Sequence, residues 1–417
     1  AAAGPAMGSR RGPEEVGAAA TDDTQSQAAG SAAAQPDVAM ATNPKSGDEL
    51  DGDPPDETDH ANYFCEYAYL YHQMDMLEDS HRTGSYYNAI LWNPGCFEGK
   101  TVLDVGAGTC ILSIMAAKAG AKQVFAVEAT DMAERSRRIV EHNGLSNVIR
   151  VLQGTVETVT LPCKVDVIVS EWMGYLLLRE SMLDSVLVAR DRHLKPGGAM
   201  FPSHATLFLA PLGQVKALRD KYETWQGEKQ HWATFNADMQ KWYETDFSCV
   251  QQDFIREQRK YYLQTGSFAN LTPKHLAGPG RPLLELDLLK TKIDDLQSPG
   301  EPLTCSMRIA RDGPLEGFTG YFDAFFRGSA ETPVEQEVTL TTAPTVGVST
   351  HWGQQLFGFY PPLAAKRGDI LECSVFIKRQ ERNHRLLRLE GKFTLYGPQS
   401  NGQRVVKEER EENYFVD

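Results

Sequence analysis

From residue 100 the chain alternates strand and helix, and this repeat restricts its fold more than any other feature. TVLDVG (101–106) reads as a buried strand, followed by a glycine turn and a helix through about Ala119. QVFAVE (123–128) is a second strand with a helix over 131–142, and VIRVLQG (148–154) and KVDVIVSE (164–171) are further strands. A helix over roughly 180–193 and a KPGG turn (195–198) lead into AMFPSHATLFLAPL. Strands separated by helices pair in parallel, which predicts a doubly wound α/β sheet. The second half changes period. In ECSVFIK (372–378), Cys373, Val375 and Ile377 alternate with Glu372, Ser374 and Phe376. EVTLTT (337–342) and LLRLEGKFTLY (386–396) behave likewise, so an antiparallel β region with one wet face is expected there.

Upstream, residues 63–82 place Tyr63, Tyr67, Leu70, Tyr71, Met74 and Leu77 at helical spacing, with order starting near Ala61. Residues 1–58 are rich in Ala, Gly, Pro, Ser and Asp and should be disordered. They carry most of the net charge of −14, so the body that follows is only mildly acidic. That balance suits a basic protein partner and disfavours direct nucleic-acid binding. Seven scattered cysteines without a CxxC pair argue for a reducing compartment, nucleus or cytoplasm, and against structural zinc. No apolar run approaches the ~18 residues of a membrane span. Residues 214–245 interrupt the β pattern with a helical excursion bearing Trp225, Trp232 and Trp242 beside Tyr222, Phe235 and Tyr243. So many aromatics need a cover, and either their own domain or a partner subunit would serve.

DVGAGTC (104–110) follows a strand and opens a helix, the place where open α/β sheets bind ligands. Ile111 stands where the dinucleotide fingerprint needs its third glycine, so a pyrophosphate cradle is poorly supported. Gly106 and Gly108 still let the backbone approach a ligand. Glu128 ends the second strand, placed to accept hydrogen bonds from both ribose hydroxyls, and Glu157 after the third strand could take an adenine edge. An adenosine without phosphates points to S-adenosylmethionine, with Arg82 as a candidate partner for its carboxylate. SEWMGYLLLRE (170–180) then sets Glu171 and Glu180 at either end of a short bend. Two converging carboxylates stay charged together only where a cation is held, and a planar guanidinium fits paired charge-assisted hydrogen bonds.

YFCEY (63–67), VLDVGAG (102–108), VEAT (127–130), SEWMGYLLLRESML (170–183) and THW (350–352) together resemble the protein arginine N-methyltransferases over residues 61–417. The chain looks most like the plant-specific type I branch with a long dimerisation arm. The resemblance implies a Rossmann-type cofactor domain (59–202), then a β-barrel-like substrate domain (203–417) with a helical arm at 214–245 that builds a homodimer. It implies that Glu171 and Glu180 clamp the substrate guanidinium. Gln73, Arg82, Gly106, Gly108, Glu128 and Glu157 would contact the cofactor, and Tyr67, Met76, Met182, His351 and Trp352 would line the substrate pocket. Methionine at Met76 resembles the type I enzymes, which make asymmetric dimethylarginine, and the family's substrates imply histone tails and Arg-Gly-rich proteins. No metal is expected. One departure stands at Cys110, where the family usually has glycine; a left-handed backbone there would strain a Cβ by about 1–2 kcal/mol. An inactive scaffold of the same fold is the main alternative, ahead of a small-molecule methyltransferase and an NAD-dependent oxidoreductase.

Overall fold

The computed structural model describes residues 56–297, 300–400 and 403–417. The expectation of disorder falls largely on 1–55, outside the described residues; 56–58 are helical. The single helical run expected over 63–82 is instead broken into three helices, α1 (Asp56–Tyr67), α2 (Leu70–Glu78) and α3 (Ser80–Leu91). Asp79 makes the second corner: its side chain accepts the Arg82 N–H at 2.9 Å and so caps α3. Leu70, Tyr71 and Met74 are exposed, so the periodic stripe read from the sequence faces outward in α2.

β1 (Thr101–Val105), α4 (Ile111–Lys118), β2 (Gln123–Glu128), α5 (Met132–His142), β3 (Ile149–Gln153), β4 (Val165–Val169), α6 (Met182–His193) and β5 (Leu194–Phe201) follow. Their strands form one sheet in the order β3-β2-β1-β4-β5, every neighbour pair parallel. β1 and β2 are buried almost throughout, as strands covered on both faces must be. The order reverses between β1 and β4, and their carboxyl ends deliver Gly106 and Glu171 to one crevice. The KPGG expected as a turn is an irregularity within β5, where the pairing with β4 shifts between Val165 and Val167.

The second half contains β6 (His204–Leu212), α7 (Lys216–Tyr243), α8 (Gln251–Arg259), β7 (Ser267–Ala269), β8 (Arg281–Asp287), α9 (Ile293–Gln297) and β9 (Leu303–Arg308). β10 (Gly313–Gly328), β11 (Pro333–Thr341), β12 (Gln354–Ala365), β13 (Ile370–Arg379), β14 (Leu387–Ser400) and β15 (Gln403–Val416) complete it. One antiparallel sheet runs β7-β12-β10-β6-β8, with β11 also on β10, and a second runs β15-β14-β13-β9. The barrel-like half thus consists of two sheets facing each other. Phe318 stacks on Phe357 of its own sheet at 5.0 Å and on Phe393 of the other at 4.9 Å. Leu371, Cys373, Val375 and Ile377 are buried while the residues between them are partly exposed, as the period-two reading requires. Tyr86, Phe201 and Phe326 join this half to the parallel sheet, with Tyr86–Phe326 centroids 4.9 Å apart.

The aromatic excursion is the single helix α7 folded back on α8. Trp232 stacks on Phe254 at 4.5 Å, and Tyr222 stacks on Tyr360 at 5.5 Å. Much of this aromatic surface therefore covers itself, while Trp242 and Tyr243 remain 67% and 69% exposed at the tip. Among the described residues, no helix is long and apolar enough to cross a membrane, and no group of His, Cys, Asp or Glu could hold a metal ion.

Candidate active site

The loop after β4 is wound against backbone preference. Leu176, Leu177, Glu180 and Ser181 all adopt positive φ, a conformation non-glycine residues avoid at a cost of order 1–3 kcal/mol each. Long-range hydrogen bonds over-determine it. Glu180 N–H donates to the Arg385 carbonyl at 2.9 Å, and Ser181 Oγ donates to the His384 carbonyl at 2.6 Å. Ser170 Oγ ties the start of the loop to the Val105 carbonyl at 2.8 Å. Glu180 is thereby turned inward before α6 begins, two residues later than the sequence pattern suggests.

Glu171 and Glu180 both line one cavity of about 570 Å³. Arg82 Nε and Nη2 both donate to Glu171 Oε2, at 2.9 and 2.7 Å, and Arg82 Nη1 donates to the Met76 carbonyl at 3.0 Å. Among the described residues Glu171 Oε1 accepts only the Met173 N–H, at 3.2 Å, which leaves it acceptor capacity for a ligand. Tyr67 donates its hydroxyl to Glu180 Oε2 at 3.1 Å, and Arg179 Nη1 lies 3.6 Å from Glu180 Oε1. Burial pushes the Glu180 carboxyl up and Glu171 adds to the rise, while Arg179 and the Tyr67 hydroxyl draw it back. Burial also holds the Tyr67 phenol well above its ordinary range, with Glu180 next in effect, so it remains a donor.

The other end of the cavity is built by the glycine loop. Gly106 and Gly108 have φ of +72° and +51°; a Cβ on the first would come within 2.8 Å of Met182 Cε, and on the second within 2.7 Å of Gln73 Oε1. Gln73 is buried there, its Nε2 donating to the Tyr67 carbonyl at 2.9 Å. Glu128 accepts Gly108 N–H at 2.8 Å and Thr130 N–H and Oγ1 at 2.8 and 2.7 Å. Three bonds leave a carboxylate lone-pair site for a ligand hydroxyl. Glu157 is exposed at the rim, and Met76 and Met182 complete the wall. A close backbone approach beside a carboxylate at a strand end fits an adenosine, and Arg82 supplies a cation beside it. Cys110 does adopt a left-handed backbone, φ +65°, so the strain expected of its Cβ is present and the core accommodates it. Its thiol is pushed up to about 12, first by burial, and is not a nucleophile.

Neither His351 nor Trp352 lines the cavity, contrary to the sequence expectation. They brace it from behind. His351 N–H and Nδ1 lie 2.9 and 2.8 Å from Asp79 Oδ2, the carboxylate that caps the helix bearing Arg82. Trp352 Nε1 donates to the Met173 carbonyl at 2.8 Å, two residues after Glu171. Sequence reasoning missed Tyr63, Phe64, His384 and Arg385, which do line the cavity. It also passed over Asp104, buried beneath the glycine loop with Ser113 N–H and Oγ on Oδ2 at 3.0 and 2.6 Å.

A family described as the arginine methyltransferase oligomerization subdomain matches residues 203–397, and one described as ribosomal protein L11 methyltransferase (PrmA) matches 93–203. The chain is similar to protein arginine N-methyltransferase PRMT10 of Arabidopsis thaliana, 43% identical over 87% of this chain and 93% of that one. Protein arginine N-methyltransferase 1 of Schizosaccharomyces pombe is 35% identical over 83% of this chain and 93% of its own. Among solved structures, an open conformation of Arabidopsis thaliana protein arginine methyltransferase 10 matches with a TM-score of 0.81 at 41% identity, covering 85% of this chain and all of that one. A Trypanosoma brucei PRMT1 enzyme–prozyme complex with AdoHcy matches at 0.69 and 29% identity, over 84% of this chain and all of its own. The chain belongs to the protein arginine N-methyltransferases, enzymes that use S-adenosylmethionine to methylate guanidino nitrogens of arginine in proteins.

Proposed function

We propose that the chain is a type I enzyme, forming monomethylarginine and then asymmetric dimethylarginine in histone tails or Arg-Gly-rich proteins, and that it works as a homodimer in the nucleus or cytoplasm. The observation that carries the reading is the charge of the cavity wall: Glu128, Glu157, Glu171 and Glu180 stand against Arg82 and Arg385, while Asp184 is paired with Arg379. That surplus suits a guanidinium entering beside a sulfonium, two positive groups brought together.

A guanidinium is a poor nucleophile because its lone pairs are delocalised and its pKa lies near ~13.8. In this reading Glu171 Oε1 and Glu180 accept hydrogen bonds from it and draw positive charge onto the nitrogens they hold. The remaining nitrogen keeps more electron density. Arg82 fixes Glu171 in one rotamer, and the Tyr67 hydroxyl does the same for Glu180. S-adenosylmethionine, held by Gly106, Gly108, Glu128, Glu157, Gln73 and Arg82, supplies a methyl group on a positively charged sulfur. Orientation then provides much of the rate, as in other reactions between two held groups. A carboxylate of the clamp accepts the departing proton. Met76, half-buried on the wall beside Arg82, supports the type I reading through the resemblance noted above.

Incubation with labelled S-adenosylmethionine and histone or Arg-Gly-rich peptides, followed by amino-acid analysis, tests the proposal. Asymmetric dimethylarginine is the expected product. Symmetric dimethylarginine, or label confined to small molecules, would overturn it.

A further inference from the structure

Helix α1 presents Tyr63, Phe64 and Tyr67 to the cavity, yet among the described residues it packs closely on no helix or strand but α2. Besides the Tyr67 hydroxyl on Glu180 Oε2, this lid has further fastenings. One comes from the far end of the chain. The turn between β13 and β14 is closed by Gln380 N–H on the Leu386 carbonyl at 3.0 Å, and Asn383 Oδ1 accepts the Arg385 N–H at 3.1 Å. Asn383 is fully buried and Arg385 is 7% exposed, so this is a built turn rather than a loose surface loop. From it the Arg385 guanidinium reaches over Tyr63, its carbon 3.8 Å from the ring centroid, with the Phe64 ring at 5.6 Å. Burial holds the Tyr63 phenol far above its ordinary range, with Glu180 next in effect, so it stays protonated under this cover. The Arg385 carbonyl accepts the Glu180 N–H, as described above.

We propose that Arg385 is a positioning residue that latches the lid: its guanidinium holds α1 over the cavity through Tyr63, while its main-chain carbonyl sets Glu180, so lid closure and clamp geometry meet at one residue. Arg385 acts through Tyr63 and Glu180 and takes no part in bond making. A desolvated cation over an aromatic ring is attracted to the ring's electron-rich face, and removing it loosens the lid. The inference takes Glu180's role from the reading above, but lid attachment is measurable without substrate, so either can fail alone.

Hydrogen–deuterium exchange on the full chain provides the test. Arg385→Met should speed exchange of the α1 amides by roughly 5- to 30-fold, the factor that 1–2 kcal/mol represents, with the parallel sheet unchanged. Arg385→Lys should restore most of the protection, because a cation still covers the ring. Tyr63→Ala should match Arg385→Met, and the double variant should add little to either, as groups sharing one contact behave. In steady state, Arg385→Met should raise the peptide KM by a similar factor while kcat falls less. Unchanged α1 exchange in Arg385→Met, full additivity in the double variant, or no rescue by lysine would each overturn the latch. Should Arg385→Met lose protection throughout the molecule, Tyr63→Ala and Arg385→Lys decide the matter alone.

Discussion

Replacing Glu180 by glutamine separates what this side chain does for chemistry from what it does for the fold. The change is isosteric and keeps an oxygen to accept the Tyr67 hydroxyl, now at 3.1 Å, so the loop should hold its shape. The positive φ of +79° suits glutamine no worse than glutamate. What is lost is charge toward the guest guanidinium. Each charge-assisted hydrogen bond is worth about 1.5–3 kcal/mol, and a neutral amide oxygen recovers about 1. With up to two such bonds in play, the net loss is roughly 2–5 kcal/mol. At about 1.4 kcal/mol per tenfold, kcat/KM should drop by roughly 30-fold to a few thousandfold. Stability should move the other way. Burial raises the Glu180 carboxyl above its ordinary value of 4.5, so the folded state binds this proton more tightly than the unfolded chain. Stability from this group is therefore present at low pH and is lost as pH rises from the ordinary value through the raised one. At neutral pH the ionised carboxylate strains the fold, and glutamine relieves it. A rise in Tm at neutral pH should accompany the collapse in activity. Radiolabel transfer, differential scanning fluorimetry and calorimetry with S-adenosylmethionine make the set. Turnover within about threefold of wild type would refute the clamp, and a lower Tm would show Glu180 to be a structural carboxylate.

Three further outcomes are expected. Asp104 is raised from 3.8 to about 7, chiefly by burial, and its Oδ1 has no hydrogen-bond partner among the described residues. Its contribution to stability should fade between those pH values on going up, so Tm should decline from pH 5 to 8 less steeply in Asp104→Asn than in wild type. Cys110, pushed up to about 12 by burial, should resist iodoacetamide at pH 8 while exposed Cys65, Cys163 and Cys249 are labelled, as read by peptide mass spectrometry. In the arm, Trp242→Ser with Tyr243→Ser should lower the sedimenting mass without unfolding α7, because both are exposed, whereas Trp232→Ala should loosen the α7–α8 hairpin through its lost stack on Phe254.

Read residue by residue, the sequence carried the elements and most of the site. Buried strand runs such as 101–105 and the alternation of 371–377 are local signals, since period and burial depend on neighbours in the chain. The glycine loop, Glu128 and the glutamate pair were legible for the same reason: each motif places its groups at fixed offsets from a strand end. Tertiary contact decided the rest. Three short helices stand where one periodic run was expected, because Asp79 caps α3 and also meets His351 from a distant loop. His351 and Trp352 proved to be braces behind the wall, a distinction that no spacing encodes. Arg82 reads from the sequence as a candidate cofactor ligand, whereas the folded chain shows it gripping Glu171. Arg385 sits in a polar turn with nothing local to single it out. Its importance arises only when the chain's far end is brought onto α1, because a cation over a ring is a property of two residues in space and of neither in sequence.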